Sequence, residues 1–244
     1  MNDEINEEMN DEQQSVEPEV EVVADEPTKK INVDIGGWLK YGWELFTADV
    51  LKYIVSALIV SVISVVTCGI LAGPMLVGFF KCILKKTRGD DFEYGDLFDG
   101  VSTQFLPAFL LMVVASASVF IASVILTFIP IIGQLATFII SSSVALIANY
   151  MYLQMAEMDE TVEVGKLVDM AKASFNRMKS EYIMFMVWAL VIYIIGMIGA
   201  VICLIGVLFT WPISLIAVTK SYFDVIKTGD EVTVVAEEVV EENI

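Results

Sequence analysis

The chain reads as an all-α polytopic membrane protein, with six transmembrane helices in three hairpins and two interfacial helices on the cytoplasmic side. Three observations predict this. Of the 244 residues, 57% are hydrophobic and the mean hydropathy is +0.71, more apolar than a soluble domain. Three long apolar stretches are each split near the middle by a short uncharged break, at residues 65–69, 128–133 and 203–206. Folding each stretch as a hairpin places all 14 Lys and Arg residues on one side. The positive-inside bias makes that side cytoplasmic. The expectation is a multi-pass protein of the cell membrane with both termini inside.

In chain order, residues 1–28 come first, with eleven acids and no base. Such a segment cannot bury enough apolar surface to offset its chain entropy, so a disordered acidic tail is expected. It has neither the basic start nor the apolar run of a signal peptide, which makes the first hydrophobic helix an uncleaved insertion signal. Residues 29–228 form the membrane domain, with 15 acids against 14 bases. Residues 229–244 are a second acidic tail with six acids and no base. The net charge of −18 therefore belongs almost entirely to the tails.

The first interfacial helix is read over 35–49, where Trp38, Trp43 and Phe46 suit the headgroup layer. The spans follow at 50–66 and 69–86, 103–128 and 132–156, and 181–203 and 206–226, with the second interfacial helix at 163–180. The middle hairpin is the clearest. No charge occurs in the 57 residues from Gly100 to Ala156, ample for two spans of about 20 residues. The first hairpin is short, with only 28 charge-free residues between Lys52 and Lys81. It either crosses, with its lysines snorkelling and the bilayer thinned, or enters and returns. Both versions bring the chain back to the cytoplasm.

The two interfacial helices introduce similar units. At an offset of 129, Gly36 meets Gly165, Phe46 meets Phe175 and Tyr53 meets Tyr182. After an insertion, Gly69 meets Gly206, Pro74 meets Pro212 and Gly89–Asp90 meets Gly229–Asp230. Both units enter from the cytoplasm, which describes a parallel internal repeat. The competing account is that any two amphipathic helices followed by hairpins align somewhere. Gly69 and Gly73 form a G-x-x-x-G pattern that lets helices approach closely, or else serve a tight turn, and Pro74 suits a helix start.

The string from Gly69 to Gly100, GILAGPMLVGFFKCILKKTRGDDFEYGDLFDG, carries a glycine-proline helix start, a basic exit and an Asp-Leu-Phe before the next span. In Gly73, Pro74, Gly78, Gly89, Phe92, Asp96, Leu97, Phe98 and Gly100 it resembles a superfamily of uncharacterised prokaryotic membrane proteins. That superfamily includes the membrane domain attached to some glycerophosphodiester phosphodiesterases. The resemblance implies a six-helix integral membrane domain of unknown activity.

Chemistry is sparse. The sequence has no His, which removes the commonest general base and zinc ligand. Three cysteines, Cys68, Cys82 and Cys203, give no disulfide framework or metal spacing. Acids cluster at 90–99 and 157–163 but without an EF-hand or phosphate-loop pattern, so they read as solvated loops. No catalytic residue, cofactor, metal or nucleic-acid partner is expected. A transporter or channel needs polar groups inside the bundle, and the candidates are Asn149, Gln154, Lys81 and Lys220. The favoured reading is a non-enzymatic scaffold acting through its cytoplasmic face on lipid or a cytoplasmic protein, with a small-solute transporter or channel component as the alternative. Within the 90–100 loop, Phe92, Tyr94, Leu97 and Phe98 are expected to anchor to the body, with Asp96 or Asp99 capping the next span.

Overall fold

The computed structural model describes residues 33–129, 131–158, 160–179, 181–201 and 204–226. The expected tails, 1–28 and 229–244, lie outside the described residues, as does Cys203. Every regular element among the described residues is a helix.

Helix α1 (Ile35–Ala48) starts where Asp34 accepts the Gly37 N–H at 2.9 Å, a side-chain cap on an otherwise unpaired donor. It ends at Asp49, and α2 (Val50–Val66) leaves at a 96° bend. The reversal after α2 uses two left-handed residues, Cys68 (φ 51°) and Gly69 (φ 86°). Gly69 N–H bonds the Ser64 carbonyl at 2.7 Å, as in glycine-terminated helix ends. Helix α3 (Ala72–Thr87) follows, with Pro74 in its first turn, where a missing N–H costs little. Gly89 (φ 85°) ends it, and the Asp90 N–H closes on the Lys85 carbonyl.

A 3₁₀ turn (Tyr94–Phe98) and the short α4 (Asp99–Thr103) lead into the second hairpin, α5 (Phe105–Leu126) and α6 (Ile132–Glu157). Then come α7 (Lys166–Lys179), α8 (Tyr182–Val201) and α9 (Leu204–Ile226). The bend from α7 into α8 is 108°.

By length and composition, α5 and α6 can each cross a membrane, and the bent pairs α1–α2 and α7–α8 reach the same measure jointly, giving two to four candidate spans. Burial runs opposite to apolarity in two of the helices. In the almost uniformly apolar α5, only Pro107, Ala108 and Leu111 are buried. In the more polar α3, most residues are buried, from Gly73 to Thr87.

The core is aromatic. Tyr53 lies beside Phe46, Phe79 and Phe92, with ring centroids 5.6–6.5 Å apart, and Trp38 meets Trp188 edge-on at 5.0 Å. Helix α1 runs antiparallel along α9: Trp38 bonds Asp224, Gly42 lies against Ile213 and Ala217, and Phe46 meets Phe209. A Cβ at Gly42 would sit 2.9 Å from the Ile213 carbonyl oxygen, so this crossing needs glycine. The expected headgroup role of Trp38 and Phe46 is thereby corrected. Both are buried against α9, while Trp43 on the other face is 59% exposed. Helix α9 begins at Leu204, and Pro212, inside it, removes one internal backbone bond.

Candidate functional site

The string singled out in the sequence folds into one interlocked unit. The 3₁₀ turn and α4 lie directly on the first turns of α3. A Cβ at Gly78 would fall on the Leu97 carbonyl, and one at Gly100 on the Pro74 carbonyl and the Gly78 nitrogen. Gly73 meets the backbone of Ala108 on α5. Backbone packs on backbone at three points, and only glycine leaves room. Gly69 differs, since a Cβ there would meet open space. Of the G-x-x-x-G pair, Gly69 makes the turn and Gly73 makes the close approach.

Leu97 is fully buried and Phe92 nearly so, whereas Tyr94 is 41% and Phe98 46% exposed. The expectation that Phe98 anchors the loop is therefore corrected: a 3₁₀ turn points Leu97 inward and leaves Phe98 outward. Asp96 caps its own turn rather than the next span, with its carboxylate accepting the Glu93 N–H at 2.9 Å while Glu93 reciprocates. Helix α5 starts after Gln104 with no side-chain cap, so neither Asp96 nor Asp99 has the predicted role there.

Charges clamp this unit in place. Lys85 bonds Asp96 at 2.7 Å, Lys52 bonds Asp91 at 3.0 Å, and Lys86 bridges Asp49 and Asp91. The Lys52 ammonium also lies 5.5 Å from the Phe92 ring centroid, a cation–π distance. Lys52 and Lys86 hold the Asp91 carboxyl below its ordinary value. At Asp96, burial pushes the carboxyl up, but the hydrogen bonds from Lys85 and the Glu93 N–H outweigh it and leave it lowered.

A second network surrounds the end of α9. Trp38 Nε1 donates to Asp224 at 2.7 Å, and Lys220 pairs with Asp224 at 3.2 Å and lies over Tyr41. Tyr150 and Ser221 share a hydrogen bond at 2.9 Å, Trp188 Nε1 donates to Ser221 at 3.2 Å, and Tyr222 donates to Glu157 at 2.8 Å. Of the expected intramembrane polar residues, Lys220 belongs to this network, Lys81 bonds Thr103 at 3.4 Å, and Gln154 donates to Ser174 at 3.0 Å. Asn149 is half-buried on α6 and takes no part in these bonds.

Two residues escaped the sequence reading. Asp224 is four residues after Lys220, a spacing that pairs charges on one helix face. Gln104 is fully buried, donates to the Glu160 carbonyl at 2.7 Å and accepts the Val162 N–H at 3.0 Å. Its signal was a lone amide at the mouth of a long apolar run. Among the described residues, no three Cys, Asp or Glu side chains converge as a metal site would need. The arrangement is chemically a lock: paired charges and satisfied amides hold the ends of the hairpins together. No family model matches the chain, nor does any curated protein or solved structure.

Proposed function

We propose that the protein is a non-enzymatic integral protein of the cell membrane that gathers lipid or protein partners on its cytoplasmic face. The observation that carries this reading is the division of its surface. One network ties the charged end of the first hairpin to the loop after it, and the other ties the charged end of α9 to α1 and α6. The opposite turns carry exposed apolar residues, Val65, Val66, Phe128 and Ile131 among them. Recognition therefore belongs to the charged side, which the basic residues assign to the cytoplasm. The resemblance of the 69–100 string to prokaryotic six-helix membrane domains points the same way.

All six helices enter the bilayer in this reading, but the first pair returns without crossing. Lys81 is level with Thr103, and Gly73 lies beside Ala108 in the first turn of α5. If α5 crosses from its first residue, the turn of the first hairpin sits only about one helical turn inside the same leaflet. Both units of the sequence share the order of amphipathic helix, sharp bend, apolar helix and return, which supports a parallel repeat relating 36–90 to 165–230.

Cys68 tests the topology from inside the molecule. In intact cells, a membrane-impermeant maleimide should leave Cys68 unlabelled when Cys82 and Cys203 are replaced by Ser. The same background with Thr127→Cys and Cys68→Ser should label. Tags at both termini should be protected from external protease. External labelling at Cys68 would mean that the first hairpin crosses, and an accessible C-terminus would overturn the topology.

A further inference from the structure

Helix α7 differs from α1 in charge and in what it leaves uncovered. It carries Lys166, Lys172, Arg177 and Lys179 against Asp169 alone, whereas α1 holds Lys40 and Glu44. Met170, Ser174 and Met178, four apart, form the face buried against the body. Val168 and Phe175, seven apart along the edge of that face, are 58% and 44% exposed. Lys172 and Lys179, also seven apart, lie just beyond them around the helix and are exposed. An exposed apolar stripe bordered by lysines suits a helix in the headgroup layer.

The stripe borders a cavity. Between α6, α7 and α8 lies a half-open space of about 50 Å³, walled by Leu146, Ile147, Phe175, Met178, Tyr182 and Phe185. It has room for about three water-sized groups. Ser143 in the wall already donates its hydroxyl to the Ile139 carbonyl at 2.9 Å. Water in such a space would find few partners, whereas methylene groups lose nothing by entering. Lys172 pairs with Asp169 only at 4.0 Å, with both side chains largely exposed, which leaves its ammonium available to a phosphate.

We propose that this cleft and the lysines of α7 form a binding site for an anionic phospholipid of the cytoplasmic leaflet, with acyl methylenes in the cavity and the phosphate at Lys172 and Lys179. The site deepens the membrane reading above and rests on it. Each lysine near an anionic surface is worth about a fivefold preference.

The full chain would be reconstituted into bilayers of phosphatidylcholine with a minor share of phosphatidylglycerol, extracted in mild detergent, and its co-purifying lipids identified by mass spectrometry. We expect phosphatidylglycerol to be enriched at least about fivefold over the bulk. Lys172→Gln with Lys179→Gln should return the ratio to that of the bulk. Ile147→Phe, which keeps the lysines and fills the cleft, should reduce retention of long-chain more than short-chain phosphatidylglycerol. Lys40→Gln on α1 serves as control and should change nothing. Enrichment that survives the double lysine variant would overturn the site, as would equal competition by soluble glycerol phosphate. A chain that stays soluble without detergent would defeat the membrane reading itself, a separate and recognisable failure.

Discussion

Helices α3 and α5 touch each other at Gly73 and Ala108, yet they face different media. Helix α3 has three glycine or proline positions and three lysines, and protein surrounds it on nearly every side. Helix α5 has no ionisable side chain, and most of it is bare. In water the more apolar helix would be buried. The reversal here leaves α5 open on the outside and wraps α3 in the rest of the protein. Helix α3 is specified by contacts, whereas α5 is specified by solvent.

A small substitution in α3 should therefore cost more than a larger one in α5. Gly78→Ala adds one methyl group where the Leu97 carbonyl already sits. We expect a loss of more than about 3 kcal/mol of stability in detergent, the upper range for overpacking. Ala117→Leu adds three carbons on the exposed side of α5 and should shift the melting temperature little. A comparable loss from both would erase the distinction.

The same contrast holds at single-residue spacing. Leu97→Ala removes a fully buried side chain and should cost about 2–3 kcal/mol. Phe98→Ala removes a larger but half-exposed ring and should cost less than about 1 kcal/mol. Thermal denaturation of the two variants would check the order, and a larger loss from Phe98 would return the anchor to the ring.

On α1, Trp38→Phe deletes the donor to Asp224 and should cost about 1.5 kcal/mol. Trp43→Phe, on the exposed face, should be close to neutral by the same assay.

The smallest effect concerns pH. The Asp91 and Asp96 carboxyls are both held low in the folded protein. Their stabilisation is present above the unfolded value of about 4 and is lost as pH falls through the folded values. Hydrogen-exchange protection across 90–104 should therefore weaken below about pH 4, while that of α5 should not. Equal weakening in both would show that acid acts on the whole body.

Much of the architecture was legible in the sequence because the governing signals are local. The charge-free run to Ala156 marked α5 and α6, and Gly69 and Gly89 marked the ends of α2 and α3. What stayed hidden depended on residues far apart in the chain. Nothing local tells that Trp38 faces Asp224 rather than headgroups. The rank of Leu97 over Phe98 required the 3₁₀ turn, since an extended loop would favour the larger ring. Gln104 was overlooked because an amide in an apolar run looks like a boundary, whereas here it pairs with the backbone of 160–162.

The bond between Trp38 and Asp224 joins residues 186 apart in the chain. During synthesis, α1 therefore emerges long before the helix that receives it. At usual elongation rates the wait is about ten to forty seconds. Throughout that interval Trp38, Tyr41, Leu45 and Phe46 have no α9 to cover them, and the headgroup layer is the nearest place that suits such a helix. The first helix among the described residues is thus among the last to be seated. A chain stopped before residue 204 would leave α1 without the partners of Trp38, Gly42 and Phe46 on α9.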